Sequence, residues 1–153
     1  MSGKRVLVVD AGGRGNAIAH AFARSEAVET VYVAPGNAGS EMMEKCRLAM
    51  MQGKAPKTIS ELLAFAKLVK IDLTFVGPEG YLSEGIVDVF QEDGQRILGP
   101  HRDAAILENS KCTTKDLLKG LRVPVPLCQN FSDAAAAKEY ARQHCSETPA
   151  RAW

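Results

Sequence analysis

Val6-Leu7-Val8-Val9-Asp10-Ala11-Gly12-Gly13-Arg14 runs from an unbroken apolar stretch into two glycines and a cation, and a helical pattern starts directly behind it. A short apolar run ending in a glycine turn reads as a buried strand feeding a helix, which is where an α/β protein places an anion-binding turn. Residues 5 to 10 are therefore expected as a strand, and 14 to 25 as a helix whose Ala17, Ile18, Ala21 and Phe22 share one face. Residues 29 to 34 return as a second strand. Such a βαβ unit joins two parallel strands by a right-handed crossover.

The same punctuation recurs twice. Pro35-Gly36-Asn37-Ala38-Gly39 follows the second strand, and Gly77-Pro78-Glu79-Gly80 follows a third, Ile71-Asp72-Leu73-Thr74-Phe75-Val76. Three such loops converge on one edge of a parallel sheet, the edge at which open α/β sheets bind their ligands. Ser60 is expected as the N-cap of a helix carrying Leu62, Leu63, Phe65, Ala66 and Val69. Leu82 to Glu92 reads as one helix with Ile86, Val87, Val89 and Phe90 inward, and Arg96-Ile97-Leu98 as a short strand ending at Gly99-Pro100. Between Ser40 and Thr58 two readings stay open: Met42, Met43, Met50 and Met51 line a short helix and a strand, or fill gaps in a core. The fold class is α/β, a Rossmann-like doubly wound parallel sheet over residues 1–102, followed by a helical connector over residues 103–153. The connector comprises a short helix at Asp103 to Leu107, a helix from Ser110 to Lys119, an extended Val123-Pro124-Val125-Pro126 and a last helix from Ser132 to Cys145.

A chain of 153 residues with 46% hydrophobic and 24% charged residues can bury a real core, which argues against disorder. A net charge of +1 gives no broad field for steering toward nucleic acid or a membrane surface, so neither is expected as a partner. Cys46, Cys112, Cys128 and Cys145 contain no C-x-x-C pair, so they read as small core hydrophobes rather than zinc ligands or a disulfide framework. No apolar stretch near the start exceeds a single strand, and a reducing, cytoplasmic setting is expected. His20, His101 and His144 read as structural or solvated, and no Ser/His/Asp or Cys/His arrangement is legible.

Each loop carries two readings. Gly12 and Gly13 let backbone N–H groups approach a phosphate at a helix N-terminus worth about half a positive charge, with Arg14 adding a charge-assisted contact. Alternatively the two glycines only make a tight corner. A nicotinamide site fits worse, because the spacing is not G-x-G-x-x-G and the second strand ends in Ala34-Pro35 where a ribose-binding acid is expected. Pro35 to Gly39 is a ligand-facing loop or a generic turn. Glu79 can accept hydrogen bonds from ribose hydroxyls or an amine, or is simply solvated.

In order and spacing these loops, with Gly99-Pro100, Leu107-Glu108-Asn109-Ser110-Lys111 and Thr114-Lys115-Asp116, resemble the N-terminal part of the phosphoribosylamine–glycine ligases of de novo purine synthesis. The resemblance runs from about Lys4 to Phe131. It implies a family that joins 5-phosphoribosylamine to glycine with ATP, through a glycyl phosphate that the amine attacks. Residues 1–102 would be the pre-ATP-grasp domain that holds the phosphoribosyl substrate, and residues 103–153 the connector and the start of a truncated ATP-grasp domain. It further implies that Gly12, Gly13 and Arg14 lie near phosphoribosylamine or glycinamide ribonucleotide, Gly36 and Asn37 beside it and Glu79 toward its ribose, with Lys111 contacting an ATP phosphate. No catalytic and no metal-binding residue is expected in this chain. ATP and magnesium belong to the complete enzyme, no cofactor is expected for this chain alone, and the chain alone is expected to be inactive.

The first loop departs from the family's usual G-x-G-G-R-E-H-A: Asp10 stands for the opening glycine, and Gly15-Asn16 for the acid–imidazole pair. An ionised carboxylate close to a phosphate would repel it. After Glu79 the family's Ala-Pro is Gly80-Tyr81. These departures motivate an alternative, a ligase-derived non-catalytic module acting as a structural or interaction subunit, with a protein partner covering the connector from Leu107 to Val125.

Overall fold

β1 (Lys4–Asp10) has apolar residues at four successive positions because both of its faces are covered: Val6, Leu7, Val8 and Val9 are each at most 2% exposed in the computed structural model. The structure describes residues 3–144. After β1 come α1 (Gly13–Ala23), β2 (Val28–Pro35), α2 (Ala38–Glu41), β3 (Cys46–Leu48), α3 (Ile59–Val69), β4 (Leu73–Val76), α4 (Glu79–Ser83), α5 (Ile86–Glu92), β5 (Ile97–Leu98) and α6 (Arg102–Asn109). The five strands form an all-parallel sheet in the order β3-β2-β1-β4-β5, the doubly wound architecture expected from the sequence. Strand order reverses at β1, so the carboxyl ends of β1 and β4 flank the switch point.

Alternation along β1 sorts the core into two layers. Leu7 and Val9 pack with Leu62 and Phe65 of α3 and Phe90 of α5, whereas Val6 and Val8 pack with Ala19 and Ala23 of α1. Ala17 and Ala21, expected on the inner face of α1, are exposed, and Gly15, Ala19 and Ala23 are buried in their place, flanked by Ile18 and Phe22. Small residues at every fourth position bring the helix backbone close to the sheet, which rotates the seam away from the larger-looking stripe.

Three other expectations are corrected. The N-cap of α3 is Thr58, not Ser60: its side chain accepts from the Glu61 N–H while Glu61 accepts from the Thr58 and Lys57 N–H groups, a reciprocal capping box. The helix expected from Leu82 to Glu92 is two helices, because Gly85 takes a left-handed φ of +89° between them, a conformation that favours glycine, with the Arg102 side chain lying against it. The Met-rich region contains a short helix, α2, and a short strand, β3, but its methionines lie outside both: Met43 and Met51 pack on the two cores, and Met42 and Met50 are exposed. Of the cysteines, Cys46 is buried but Cys112 is exposed, contrary to the core reading, and Cys145 lies outside the described residues.

A first compact unit ends at Ser110 and a second begins at Lys111. The second contains α7 (Lys111–Gly120) and α8 (Ala134–His144), joined by an irregular segment in which Lys119 donates to the Cys128 carbonyl and Asn130 to Asp116. Asp133 caps α8 by accepting from the Ala136 N–H, and Tyr140 packs against Phe131 and His144. Leu117, Leu121 and Val123 are exposed there. Among the described residues, no helix is long and apolar enough to cross a membrane.

Hydrogen bonds from the Lys57 and Thr58 N–H groups hold the Glu61 carboxyl below the usual glutamate range. Its contribution to stability is therefore complete above the unfolded-state value and is lost as pH falls through the lowered one. Thr58→Ala is expected to lower the unfolding free energy by about 1 kcal/mol in urea titrations with an unchanged slope.

Candidate functional site

The carboxyl end of β1 is occupied by a carboxylate. Asp10 is 5% exposed, its Oδ1 accepts from the Gly12 N–H at 2.7 Å, and its Oδ2 faces Arg14 Nε at 3.3 Å. Arg14 reaches on to donate from Nη2 to the Gly77 carbonyl at 2.6 Å. The first loop is thereby tied to the third across the switch point. Gly12, the N-cap of α1, and Gly13, its first residue, are exposed above this contact. The corner reading and the anion reading of these glycines thus share one structure, with the Gly12 N–H already engaged by Asp10.

A second set of contacts ties the first loop to the second. Asn37 caps α2, accepting from the Gly39 N–H at 2.9 Å, and its Nδ2 donates to the Ala11 carbonyl at 3.0 Å. The Asn37 and Asn16 amides face each other, with Asn16 Nδ2 at 3.0 Å from Asn37 Oδ1. Ser40, fully buried, donates from Oγ to Asn16 Oδ1 at 2.8 Å and accepts from the Asn37 N–H at 3.1 Å. Gly36, just before the cap, donates its N–H to the Asp10 carbonyl at 3.1 Å, following a cis Ala34–Pro35 bond. The Asn37 side chain is consequently spent on the scaffold, fixing where the second loop lies.

Beside these loops opens a cleft of about 440 Å³, walled by Arg14, Gly77, Leu82, Gly99, Pro100 and Glu108 among others. Its far wall is fastened by α6. Asp88 accepts from the Arg102 N–H at 3.0 Å and pairs with His101 Nδ1 at 2.8 Å, and Arg102 donates to the Glu84 carbonyl at 2.6 Å. The Arg102 N–H first, and His101 second, hold the Asp88 carboxyl below the usual aspartate range. Glu79 is exposed in the first turn of α4 and is not part of the cleft lining. Lys111 is the first residue of α7, in the second unit. Gly12, Gly13, Arg14, Gly36 and Asn37 are therefore gathered at one edge with Gly77. The sequence alone leaves the orientation of Asp10 open; Asn16 stands out there only as a departure from the resembling family's first loop, and Ser40 only as a polar residue in the first turn of a helix. Among the described residues, no three His, Cys, Asp or Glu side chains form a group that could hold a metal ion.

Two predictions follow from these contacts. A Cβ on Gly15 would lie 2.8 Å from Asp10 Cγ, so Gly15→Ala is expected to destabilise by roughly 1–3 kcal/mol in urea unfolding. In an Asp10→Gly background the same change should be neutral or stabilising, because the obstacle is gone and alanine is the better helix former; an undiminished penalty would contradict the contact. The stability contributed by Asp88 is expected to be complete above the ordinary aspartate value and to be lost as pH falls through its lowered folded value, a dependence that Asp88→Asn should remove.

A family model described as "Phosphoribosylglycinamide synthetase, N domain" matches residues 4–108. The chain is 53% identical over 142 residues to a phosphoribosylamine–glycine ligase of Archaeoglobus fulgidus, covering 91% of this chain and 30% of the relative. It is 44% identical over 139 residues to the phosphoribosylamine–glycine ligase of Escherichia coli, covering 91% and 32%. It thus spans about a third of the length of the curated relatives it matches. Among solved structures, the biotin carboxylase domain of a single-chain bacterial carboxylase superposes with a TM-score of 0.65 at 22% identity, covering 92% of this chain and 34% of that one. A biotin carboxylase of Campylobacter jejuni, solved as a β-γ-ATP complex, gives 0.63 at 21% identity, covering 92% and 33%. At these identities the solved structures show the shared α/β fold, while the family match and the ligase relatives cover most of this chain. The chain belongs to the phosphoribosylglycinamide synthetase N-domain family.

Proposed function

We propose that this domain holds the phosphoribosyl substrate of a ligase that joins 5-phosphoribosylamine to glycine, at the carboxyl edge of its sheet. The observation that carries the reading is the convergence of the three strand-end loops, bound to one another through Asp10, Arg14, Asn37 and the Gly77 carbonyl beside an open cleft. The first turn of α1 and Arg14 offer the positive end of a helix and a guanidinium to a phosphate. Because Asp10 occupies the Gly12 N–H, the role falls to donors beyond it, among them the Gly13 N–H and the Arg14 side chain. Gly36 and Asn37 shape the neighbouring wall, and Glu79, at the mouth of the third loop, is assigned to the ribose hydroxyls.

In the complete enzyme ATP and magnesium would supply activation of the glycine carboxylate. Lys111 is the candidate contact to an ATP phosphate. A cytoplasmic setting accords with this metabolic reading. The non-catalytic module is not favoured, since the relatives that match most of this chain are ligases by name.

Titration of the isotope-labelled protein with glycinamide ribonucleotide tests the reading. Backbone amide signals of Gly12, Gly13 and Arg14 are expected to move and saturate together. Signals that stay put at millimolar ligand would overturn the assignment of this edge.

A further inference from the structure

We infer that Asp10 is the positioning residue of this site: buried beneath the first loop, its carboxylate fixes the Arg14 guanidinium at the wall of the cleft in the orientation that meets an anionic ligand. This deepens the reading above and rests on it, since it takes Arg14 to be a ligand contact.

The two side chains differ sharply in exposure, 6% for Asp10 and 55% for Arg14, so one is an anchor and the other a working surface. A guanidinium is planar and carries five N–H donors in a fixed fork. Here Nε is held by Asp10 Oδ2 and Nη2 by the Gly77 carbonyl, two anchors supplied by the ends of neighbouring strands. Two fixed points set the plane of the group, and the donors not used by these anchors stay available on a residue that lines the cleft. An arginine on an exposed helix turn would otherwise lose rotamer freedom on meeting its ligand, and that loss is already incurred in the free protein.

The carboxylate sits in a space that its neighbours leave for it. A Cβ on Gly15 would meet the Asp10 side chain, and a Cβ on Gly77 would lie 3.1 Å from Asp10 Cγ and closer still to Oδ2. Glycines from α1 and from the loop after β4 thus bracket one aspartate. The contact that Asp10 makes with the Gly12 N–H holds the turn, and the contact with Arg14 Nε passes that order to the ligand face. A purely structural Asp10 would need only the first of these.

Asp10→Asn separates the two roles, because asparagine keeps an oxygen for the Gly12 N–H and turns an NH₂ group toward Arg14 Nε. Three measurements on the full chain test it. In the free protein, hydrogen exchange at the Arg14 Nε–H is expected to quicken in Asp10→Asn; an unchanged exchange rate overturns the proposal whether or not any ligand binds. With glycinamide ribonucleotide as the probe, Asp10→Asn is expected to weaken binding by about tenfold in the parent, the loss typical of a charge-assisted contact, and by less than about twofold in an Arg14→Ala background. Equal losses in both backgrounds would make Asp10 structural and overturn the proposal. Arg14→Lys, an exposed change independent of how Asp10→Asn folds, should bind as poorly as Arg14→Ala, whereas rescue by lysine would mean that charge alone suffices and positioning does not matter. Failure of the parent itself to bind glycinamide ribonucleotide sinks the substrate reading, and the Nε–H exchange then decides the Asp10 contact by itself.

Discussion

The Asp10 carboxylate, closed in at the end of the central strand, is the point at which the carboxyl edge of the sheet is held together. One oxygen stops the first loop by taking the Gly12 N–H, and the other engages the arginine that crosses to the Gly77 carbonyl. The Asp10 main-chain carbonyl receives the Gly36 N–H as well, so the loops after β1, β2 and β4 all reach this residue or its immediate partner. A buried carboxylate is tolerable only when its lone pairs are taken up by donors, and here the donors are the very groups that a binding edge must order. Gly15 and Gly77 look like ordinary loop and helix glycines until the aspartate between them is seen.

A site built in this way differs from an open glycine turn that waits for a phosphate. Part of the positive potential at the start of α1 is already answered from within by Asp10, and on the proposed reading a ligand would meet Gly13 and Arg14 instead. On the proposed reading the carboxylate would move an anion-facing surface from the floor of the turn toward the cleft, and the guanidinium beside Asp10 would reduce its repulsion of a phosphate. Asn37, Asn16 and Ser40 do for the second loop what Asp10 does for the first, by hydrogen bonds alone.

Most of the architecture was legible because its signals are strong and local. An apolar run between a charged start and a glycine turn can hardly be anything but a central strand, and the alternation of β1 between two helix layers accounts for every apolar residue in it. The inward face of α3 is legible from helical spacing in the same way, as are Ile86, Val87 and Phe90 of α5, whereas Val89, expected inward, is only half-buried and lies outside the core clusters. What spacing could not show was depth. In α1 the buried positions are Gly15, Ala19 and Ala23, with Ile18 and Phe22 packed beside them, so Ala17 and Ala21 fall outside the seam although they are as small as the alanines within it. Thr58 and Ser60 are both good caps by residue type, and only the reciprocal bond from Glu61 distinguishes them. Gly85 interrupts an otherwise continuous helical pattern by taking a left-handed φ, and the Arg102 side chain, distant in sequence, lies against it and donates to the Glu84 carbonyl. At the site the loops could be found by their glycines and prolines, but the partners of Asp10 and Asn37 are set by the strand order, which places residues far apart in sequence side by side.

The central claim is that the Asp10–Arg14 contact presents a preordered guanidinium to the phosphoribosyl ligand at the carboxyl edge of the sheet. A crystal structure of the chain grown with glycinamide ribonucleotide tests it most directly. The account predicts the ligand phosphate against Gly13 and Arg14, with Arg14 Nε still on Asp10 and the Gly77 carbonyl still engaged. A ligand bound elsewhere on the domain, or an Arg14 that leaves Asp10 to reach it, would contradict the account.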